Sequence, residues 1–350
     1  MAEPASLDGS RVLVTGGAGF IGSNFAHHVL RRFPGAHVVV LDALTYAGRR
    51  ENLDGLAPAR LTFMHGDIRD PAAVALAMEG CDLVVNFAAE SHVDRSIESP
   101  GEFIQTDVHG VFVLCEEARR RGVRRFLQVS TDEVYGEVLE GAATEDWPLM
   151  PRSPYAASKA GGDRLAFAYW ATYGLPVVVT RCSNNYGPRQ YPEKLVPLFV
   201  TNAIEDQPLP VYGTGKNRRD WIHVEDHCAA LVALLAQPGV EGETFNIGAG
   251  NELDVLAMTE AILRLLGKPG SLVRHVEDRP GHDRRYALDS SKLTRLTGWR
   301  PAVSFEEGIR RTIEWYRENE AWWRPIKAGE FRAYYERAYG RRKVLKEGQA

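Results

Sequence analysis

Between Arg11 and Arg181, short apolar runs alternate with longer stretches whose apolar positions recur every three to four residues. The runs RVLVT, HVVVLD, LTFMHGD, DLVVNFAA, RFLQVS and PVVVTR are apolar almost throughout, the pattern of strands buried on both faces. Helical stretches separate them: one from about Phe20, one after HGDIRD, one from about Glu102 to Arg121 and one from about Ser153 to Tyr173. Such alternation predicts a parallel sheet covered by helices, so at least six units fit one doubly wound α/β domain over residues 1–182, its first ten residues flexible.

After Arg181 the texture changes. Pro188, Pro192, Pro197, Pro208 and Pro210 break the pattern, and charged clusters appear at Lys216–Asp220 and Arg274–Arg285. A smaller α/β substrate-binding lobe over residues 183–350 is expected, with room for some segments to return to the first domain. DVLAMTEAILRLLG and SFEEGIRRTIEWYREN read as helices in it, and Arg341–Ala350 reads as a fraying polar tail.

Composition narrows the function class. Apolar residues make up 44% and charged residues 25% of 350, which excludes a disordered or fibrous chain. Lys plus Arg is 42 against 46 Asp plus Glu, so no basic excess invites nucleic acid or an acidic membrane. No run of ~18 apolar residues predicts a membrane span, and Met1–Ser10 lacks the apolar core of a signal sequence, so the expected location is cytoplasmic. Cys81, Cys115, Cys182 and Cys228 lie far apart and read as reduced core residues.

Directly after the first strand, TGGAGFIG sets Gly16, Gly19 and Gly22 at GxxGxxG spacing between strand and helix, a Rossmann dinucleotide turn. Asp42 closes the second strand, about 20 residues on, where a carboxylate accepts from a ribose diol and repels a 2′-phosphate. NAD is therefore favoured over NADP, although Arg49 and Arg50 lie downstream. Asp67 and Ile68, after the third strand, are either adenine contacts or an ordinary strand-end turn. Tyr155 and Lys159 form YxxxK on one helix face, so one cation can act on one phenol. Bringing a tyrosine from about 10 toward neutrality takes ~4 kcal/mol, which an ammonium and a nicotinamide cation can supply together. With Thr131 at a strand end, the pair points to dehydrogenase chemistry at a hydroxyl.

TGGAGFIGSN, LDALTYAG, HGDIRD, FAAESHVDRSI, VSTDEVYG, SPYAASKAGGD, RCSNNYGP, PEKLVPLF, RDWIHVEDH, FNIG and DRPGHDRRY together make the chain resemble the extended short-chain dehydrogenases/reductases acting on nucleotide sugars. More narrowly, it is similar to the dTDP-glucose 4,6-dehydratases. The resemblance implies an NAD-dependent hydro-lyase that oxidises carbon 4 of dTDP-glucose, eliminates water across carbons 5 and 6, and returns the hydride to carbon 6. Glu133 is then the base at carbon 5 and Asp132 the acid at oxygen 6, with Thr131, Tyr155 and Lys159 completing the catalytic set. Unequal protonation is required, Asp132 neutral by burial or a neighbouring charge and Glu133 ionised.

The same resemblance implies cofactor contacts from Phe20 and Ile21 beside the glycines, from Ala43, Leu44 and Thr45 after Asp42, and from Phe87, Ala88, Ala89, Ser91, Thr106 and Asn185. On the substrate side, Ser91, Thr131 and Asn184 meet the sugar, Lys194 and Leu195 follow the phosphates, and Pro210, Val211 and Tyr212 flank the base. Arg219, Asn246 and the run Asp278, Arg279, Pro280, Gly281 and His282 are similar to diphosphate, ribose and base contacts. The resemblance also implies a homodimer, because the helices near Glu102–Arg121 and Ser153–Tyr173 occupy positions similar to the family's four-helix dimer interface, with Phe112, Leu165 and Phe167 as apolar contacts.

No spacing supports a metal site, so His92 and His223 are read as structural, and Trp315, Tyr316, Trp322 and Trp323 as packing. The chain departs from the family where TNVxGT reads TDVHGV, with Asp107 and Val111, and where Arg189 replaces an aromatic in NNYGPRQYP. Asp107 turns an amide donor into an acceptor. The competing readings are another nucleotide-sugar dehydratase, epimerase or decarboxylase of the same fold, or a noncatalytic NAD-binding regulator. Asp132 argues for dehydration, and the complete catalytic set against lost activity.

Overall fold

Alternation within each strand sends side chains to opposite faces of one sheet. Val12 and Val14 enter one core with Val38, Val40, Val85 and Leu127, while Leu13, Val39, Leu41, Val84 and Phe126 enter a second core on the other side. In the computed structural model of the chain, which describes residues 6–329 together with 331, 332, 335, 336 and 342–345, six strands follow the expected order. They are β1 (Arg11–Thr15), β2 (His37–Asp42), β3 (Leu61–His65), β4 (Leu83–Asn86), β5 (Arg125–Thr131) and β6 (Val177–Cys182).

Six further strands come later: β7 (Asn184–Tyr186), β8 (Leu209–Tyr212), β9 (Arg218–His223), β10 (Thr244–Ile247), β11 (Glu252–Asp254) and β12 (Val273–Val276). The main sheet is parallel and seven-stranded, in the order β10-β6-β5-β4-β1-β2-β3. Its seventh strand, β10, comes from beyond residue 182, as does the Val224–Ala236 helix, whose Leu231, Leu234 and Leu235 join the first core. Segment 224–247 thus returns to the sheet, because β6 otherwise leaves an unpaired edge beside an uncovered apolar face.

The lobe is built from a three-stranded sheet, β11-β9-β7, and a two-stranded one, β12-β8. A third core fills it with Leu198, Phe199, Val211, Ile262, Ile309 and Ile313, joined by Tyr316 and Trp323 from the aromatic run. Both terminal expectations need correction within the described residues. Leu7 is buried in the first core and the Gly35 N–H donates to Asp8 Oδ1 at 2.7 Å, so residues 6–10 are packed. At the other end Val344 bridges Val276 antiparallel, holding 342–345 along β12, while residues 1–5, 341 and 346–350 lie outside the described residues. No described helix is long and apolar enough to cross a membrane.

Candidate active site

The chain winds from β1 to β2 and β3 on one side, then crosses back from β3 to β4 on the other side of β1, and the crevice between β1 and β4 at this switch is where such sheets bind ligands. A cavity of ≈ 310 Å³ opens there, at the carboxyl ends of β1, β4, β5 and β6. Gly16 holds φ at +63°, and a Cβ on it would come within 2.7 Å of the Ala88 nitrogen. At Gly22 a Cβ would sit 2.4 Å from the Gly16 carbonyl, so the helix Phe20–Arg32 starts close against the turn. Its first N–H groups have no partner within the helix and no acid crowds that turn, which suits a pyrophosphate.

Asp42 lines the same end of the cavity. Its carboxylate accepts from the N–H of Ala18 and of Leu44, both at 2.8 Å, which pull its pKa down while burial pushes it up. Free lone pairs remain for a ribose diol. Ala43, Thr45, Asp67, Ile68, Phe87, Ala88, Ala89, Ser91, Thr106 and Asn185 line the cavity with Gly16, Gly19, Phe20, Ile21 and Gly22. Leu44 is the exception: its N–H is held by Asp42 and it stands off the cavity wall, shaping the loop. Glycine cradle, helix terminus and ribose acceptor together fit a dinucleotide.

Catalytic candidates come from β5 and one helix. Ser153 caps the Pro154–Tyr173 helix by accepting from the Ala156 N–H at 3.1 Å, with Pro154 at its first position. This start puts Tyr155 and Lys159 one turn apart against the end of β5. Thr131 Oγ1 lies 3.1 Å from Asp132 Oδ1, accepts from the Glu133 N–H at 3.3 Å, and also hydrogen-bonds Tyr155. Thr131, Asp132, Glu133, Tyr155 and Lys159 all line the cavity.

Burial, then the neighbouring Glu133, pushes Asp132 up to about 8, and its Oδ2 is buried without a partner. Burial raises Glu133 too, but Arg279, Arg219 and Lys194 pull it back toward the charged form. Burial thus raises both carboxyls, but the next influence on Asp132 is the negative Glu133 and on Glu133 the positive Arg279. Tyr155 differs from expectation, since burial, Glu133, Asp107 and Cys182 push it well above 10 while Thr131 pulls it down. The Lys159 ammonium donates to the Val129 carbonyl at 2.8 Å, so the chain's own groups do not bring the phenol to neutrality.

Three cations from separate segments therefore converge on Glu133. Lys194 precedes the Leu195–Ile204 helix and donates to the Ser91 carbonyl. Arg219, on β9, is fixed by the Asp283 carbonyl at 2.9 Å over the Tyr286 ring. Arg279 reaches Asp94 at 3.3 Å, and its Nε is buried without a partner, as is Asn184 Oδ1 in the cavity wall. Tyr212 donates to Asp94 at 3.2 Å and meets His282 edge-on, while Asp278, Pro280 and Gly281 are exposed, and none of these residues lines the cavity.

Other expected contacts fall away. Asn246 is fully buried in β10: its Oδ1 accepts from Tyr135 at 2.8 Å and its Nδ2 donates to Ala143 at 2.8 Å, so its side chain braces the sheet. Leu195 and Val211 send their side chains into the lobe core, and Pro210 is buried in β8. Only their backbones are available. His223 caps the Val224–Ala236 helix, its Nδ1 accepting from the Glu225 N–H. Sequence reading missed the buried Glu193, which accepts from Tyr46 at 2.7 Å and Arg95 at 3.2 Å. Those partners lie 147 and 98 residues away, so no local pattern exposes the cluster; the only sign was an acid directly before Lys194.

Comparison with known proteins gives consistent matches. The sequence profile of the GDP-mannose 4,6 dehydratase family matches residues 13–312. A dTDP-glucose 4,6-dehydratase of Streptomyces niveus is 52% identical over 91% of this chain and 96% of its own. The crystal structure of the dTDP-glucose 4,6-dehydratase DesIV of Streptomyces venezuelae, with NAD bound, is 53% identical, covers 91% of this chain and 100% of its own, and superposes with a TM-score of 0.88. A Thermus thermophilus UDP-glucose 4-epimerase in complex with NAD is 36% identical, with a TM-score of 0.81 over 88% of this chain and 99% of its own. From the glycine turn to the acid pair, the chain belongs to the dTDP-glucose 4,6-dehydratase family of the extended short-chain dehydrogenases/reductases.

Proposed function

We propose that this chain converts dTDP-glucose to dTDP-4-keto-6-deoxyglucose with bound NAD. The observation that carries this reading is the adjacent acid pair, Asp132 with its buried, unpartnered Oδ2 beside Glu133, in the cavity shared with Tyr155 and Lys159. NAD, when bound, takes up the carbon 4 hydrogen with its electron pair and supplies it again at carbon 6.

The chain's own residues handle the protons. Tyr155 removes the proton from oxygen 4, with Thr131 and the added positive charge of the nicotinamide favouring its phenolate. Once carbon 4 is a ketone, the carbon 5 proton is acidic and Glu133, held toward its charged form by three cations, removes it. Asp132, still protonated near pH 7, delivers its proton to oxygen 6 as water leaves. Glu133 then returns a proton to carbon 5. Lys194, Arg219 and Arg279 hold the diphosphate, whose charge matches theirs. An epimerase needs no acid at oxygen 6, so Asp132 favours dehydration.

The sugar-nucleotide end and the assembly belong to the same proposal. Phe112 and Trp170 are 43% and 36% exposed on the helices Val111–Arg121 and Pro154–Tyr173, beside Phe167, which supports a homodimer through this helix pair. Four buried, unpaired cysteines support the reducing cytoplasm. Incubating the purified chain with dTDP-glucose tests the activity: a product lighter by one water with a carbon 4 ketone is expected, and an unchanged or epimerised sugar would overturn the reading.

A further inference from the structure

Asp107 marks the departure from TNVxGT, and it packs against the catalytic helix. It sits in a wide-turn segment, Gln105–Gly110, that bulges between the helices Pro100–Ile104 and Val111–Arg121. The bulge turns its carboxyl inward, leaving the residue 2% exposed. Oδ1 accepts from the Glu90 N–H at 3.0 Å, and Oδ2 accepts from the Ser158 hydroxyl at 2.6 Å. Glu90 lines the cavity after β4, and Ser158 lies between Tyr155 and Lys159 on their helix. One carboxyl therefore joins the two walls of the catalytic centre. The approach is close, since a Cβ on Gly162 would meet the Asp107 carbonyl at 2.2 Å.

Charged and titratable groups face it from both sides. From the catalytic helix, the Lys159 charge and the Ser158 hydroxyl favour the carboxylate; from the β4 loop, the Glu90 N–H favours it and the Glu90 carboxylate opposes it. Ionised Asp107 in turn opposes ionisation of Tyr155, together with Glu133 and Cys182. Burial pushes Asp107 itself up to about 6, inside the working range of a cytoplasmic enzyme.

We propose that Asp107 is a charged positioning residue, holding Ser158 and the Glu90 backbone in register with Tyr155 while its negative charge sets the pH at which Tyr155 acts. The proposal rests on Tyr155 as the oxidising base. Asp107→Asn separates charge from position. The amide oxygen keeps the Glu90 N–H, the amide nitrogen donates to Ser158 Oγ, and the Ser158 hydroxyl turns to the Tyr155 carbonyl, already 2.8 Å away.

The test is the pH profile of single-turnover NADH formation from dTDP-glucose, with carboxyl ¹³C NMR of aspartate-labelled protein as a readout independent of turnover. For Asp107→Asn, the acid limb should move to lower pH by roughly 0.5 to 1 unit. Ser158→Ala, which removes a hydroxyl that stabilises the carboxylate, should move it the same way by less. A resonance titrating near 6 should vanish in Asp107→Asn. Superimposable profiles, or a shift to higher pH, overturn the proposal, as does the absence of a resonance titrating near 6. If Asp107→Asn does not fold, the Ser158→Ala profile and the wild-type titration decide alone. Tyr155→Phe is the control: wild-type NADH formation by that variant would overturn the role of Tyr155, whereas its block with an unmoved Asp107→Asn profile overturns only the role of Asp107.

Discussion

Replacing Asp132 by Asn should slow the enzyme and stabilise it at the same time. Asn matches the neutral acid in shape, keeps the Thr131 contact at 3.1 Å, and places an amide where the unpartnered Oδ2 lies. The native carboxyl holds its proton to about 8, whereas the unfolded chain releases it at the ordinary 3.8. Across that window the native state binds more protons than the unfolded one, so wild-type stability falls as pH rises. Over roughly four pH decades at ~1.4 kcal/mol each, the loss reaches an upper limit on the order of 5 kcal/mol near pH 8, and Asn removes it. Urea unfolding in saturating NAD at about pH 5 and about pH 8 reads the difference, which should widen by a few kcal/mol toward the higher pH. Elimination should meanwhile fall by roughly 10² to 10⁴, letting NADH accumulate on the enzyme. A stability difference that stays constant with pH, or wild-type turnover without NADH build-up, would refute a proton-holding Asp132.

Tyr155→Phe removes the first base, so no NADH signal should rise in a single-turnover mix with dTDP-glucose, in contrast to the Asp132 variant. Gly22→Ala puts a Cβ 2.4 Å from the Gly16 carbonyl and should lower NAD retained through purification by about tenfold or more, measured in the denatured supernatant. Retention at the wild-type level would show that the turn relaxes. The proposed homodimer predicts twice the chain mass by light scattering and a halved mass for a Phe112→Glu, Trp170→Glu double variant; a wild-type mass of one chain would overturn the dimer, and an undiminished dimer would place the interface elsewhere.

Legibility in the sequence followed the range of the forces involved. The six first strands and the glycine turn could be read because their causes are local: continuous apolar runs, glycine spacing and an acid at a strand end. The seventh strand could not, since TFNI carries no more apolar signal than many loops and joins the sheet only because β6 leaves an edge open. Leu7 and residues 342–345 were read as loose ends because polar composition hid the long-range contacts that hold them. Within the site, the YxxxK pair was read from its spacing, whereas the roles of the acid pair came from the family resemblance. The raised phenol of Tyr155 was not legible, because it depends first on burial and then on Glu133 and Asp107, which reach it through space. Asn246 was named only through the family resemblance, and its bonds to Tyr135 and Ala143, more than 100 residues away, were out of reach of the sequence.

The most direct test of the central claim follows one atom. dTDP-glucose carrying deuterium at carbon 4 is converted by the purified chain in ordinary water, and the position of the label in the product is read by NMR. Oxidation and elimination in one cavity, with the hydride returned before the product leaves, predict deuterium at carbon 6 of a 4-keto-6-deoxy sugar. Label still at carbon 4, or lost from the sugar altogether, would contradict the account.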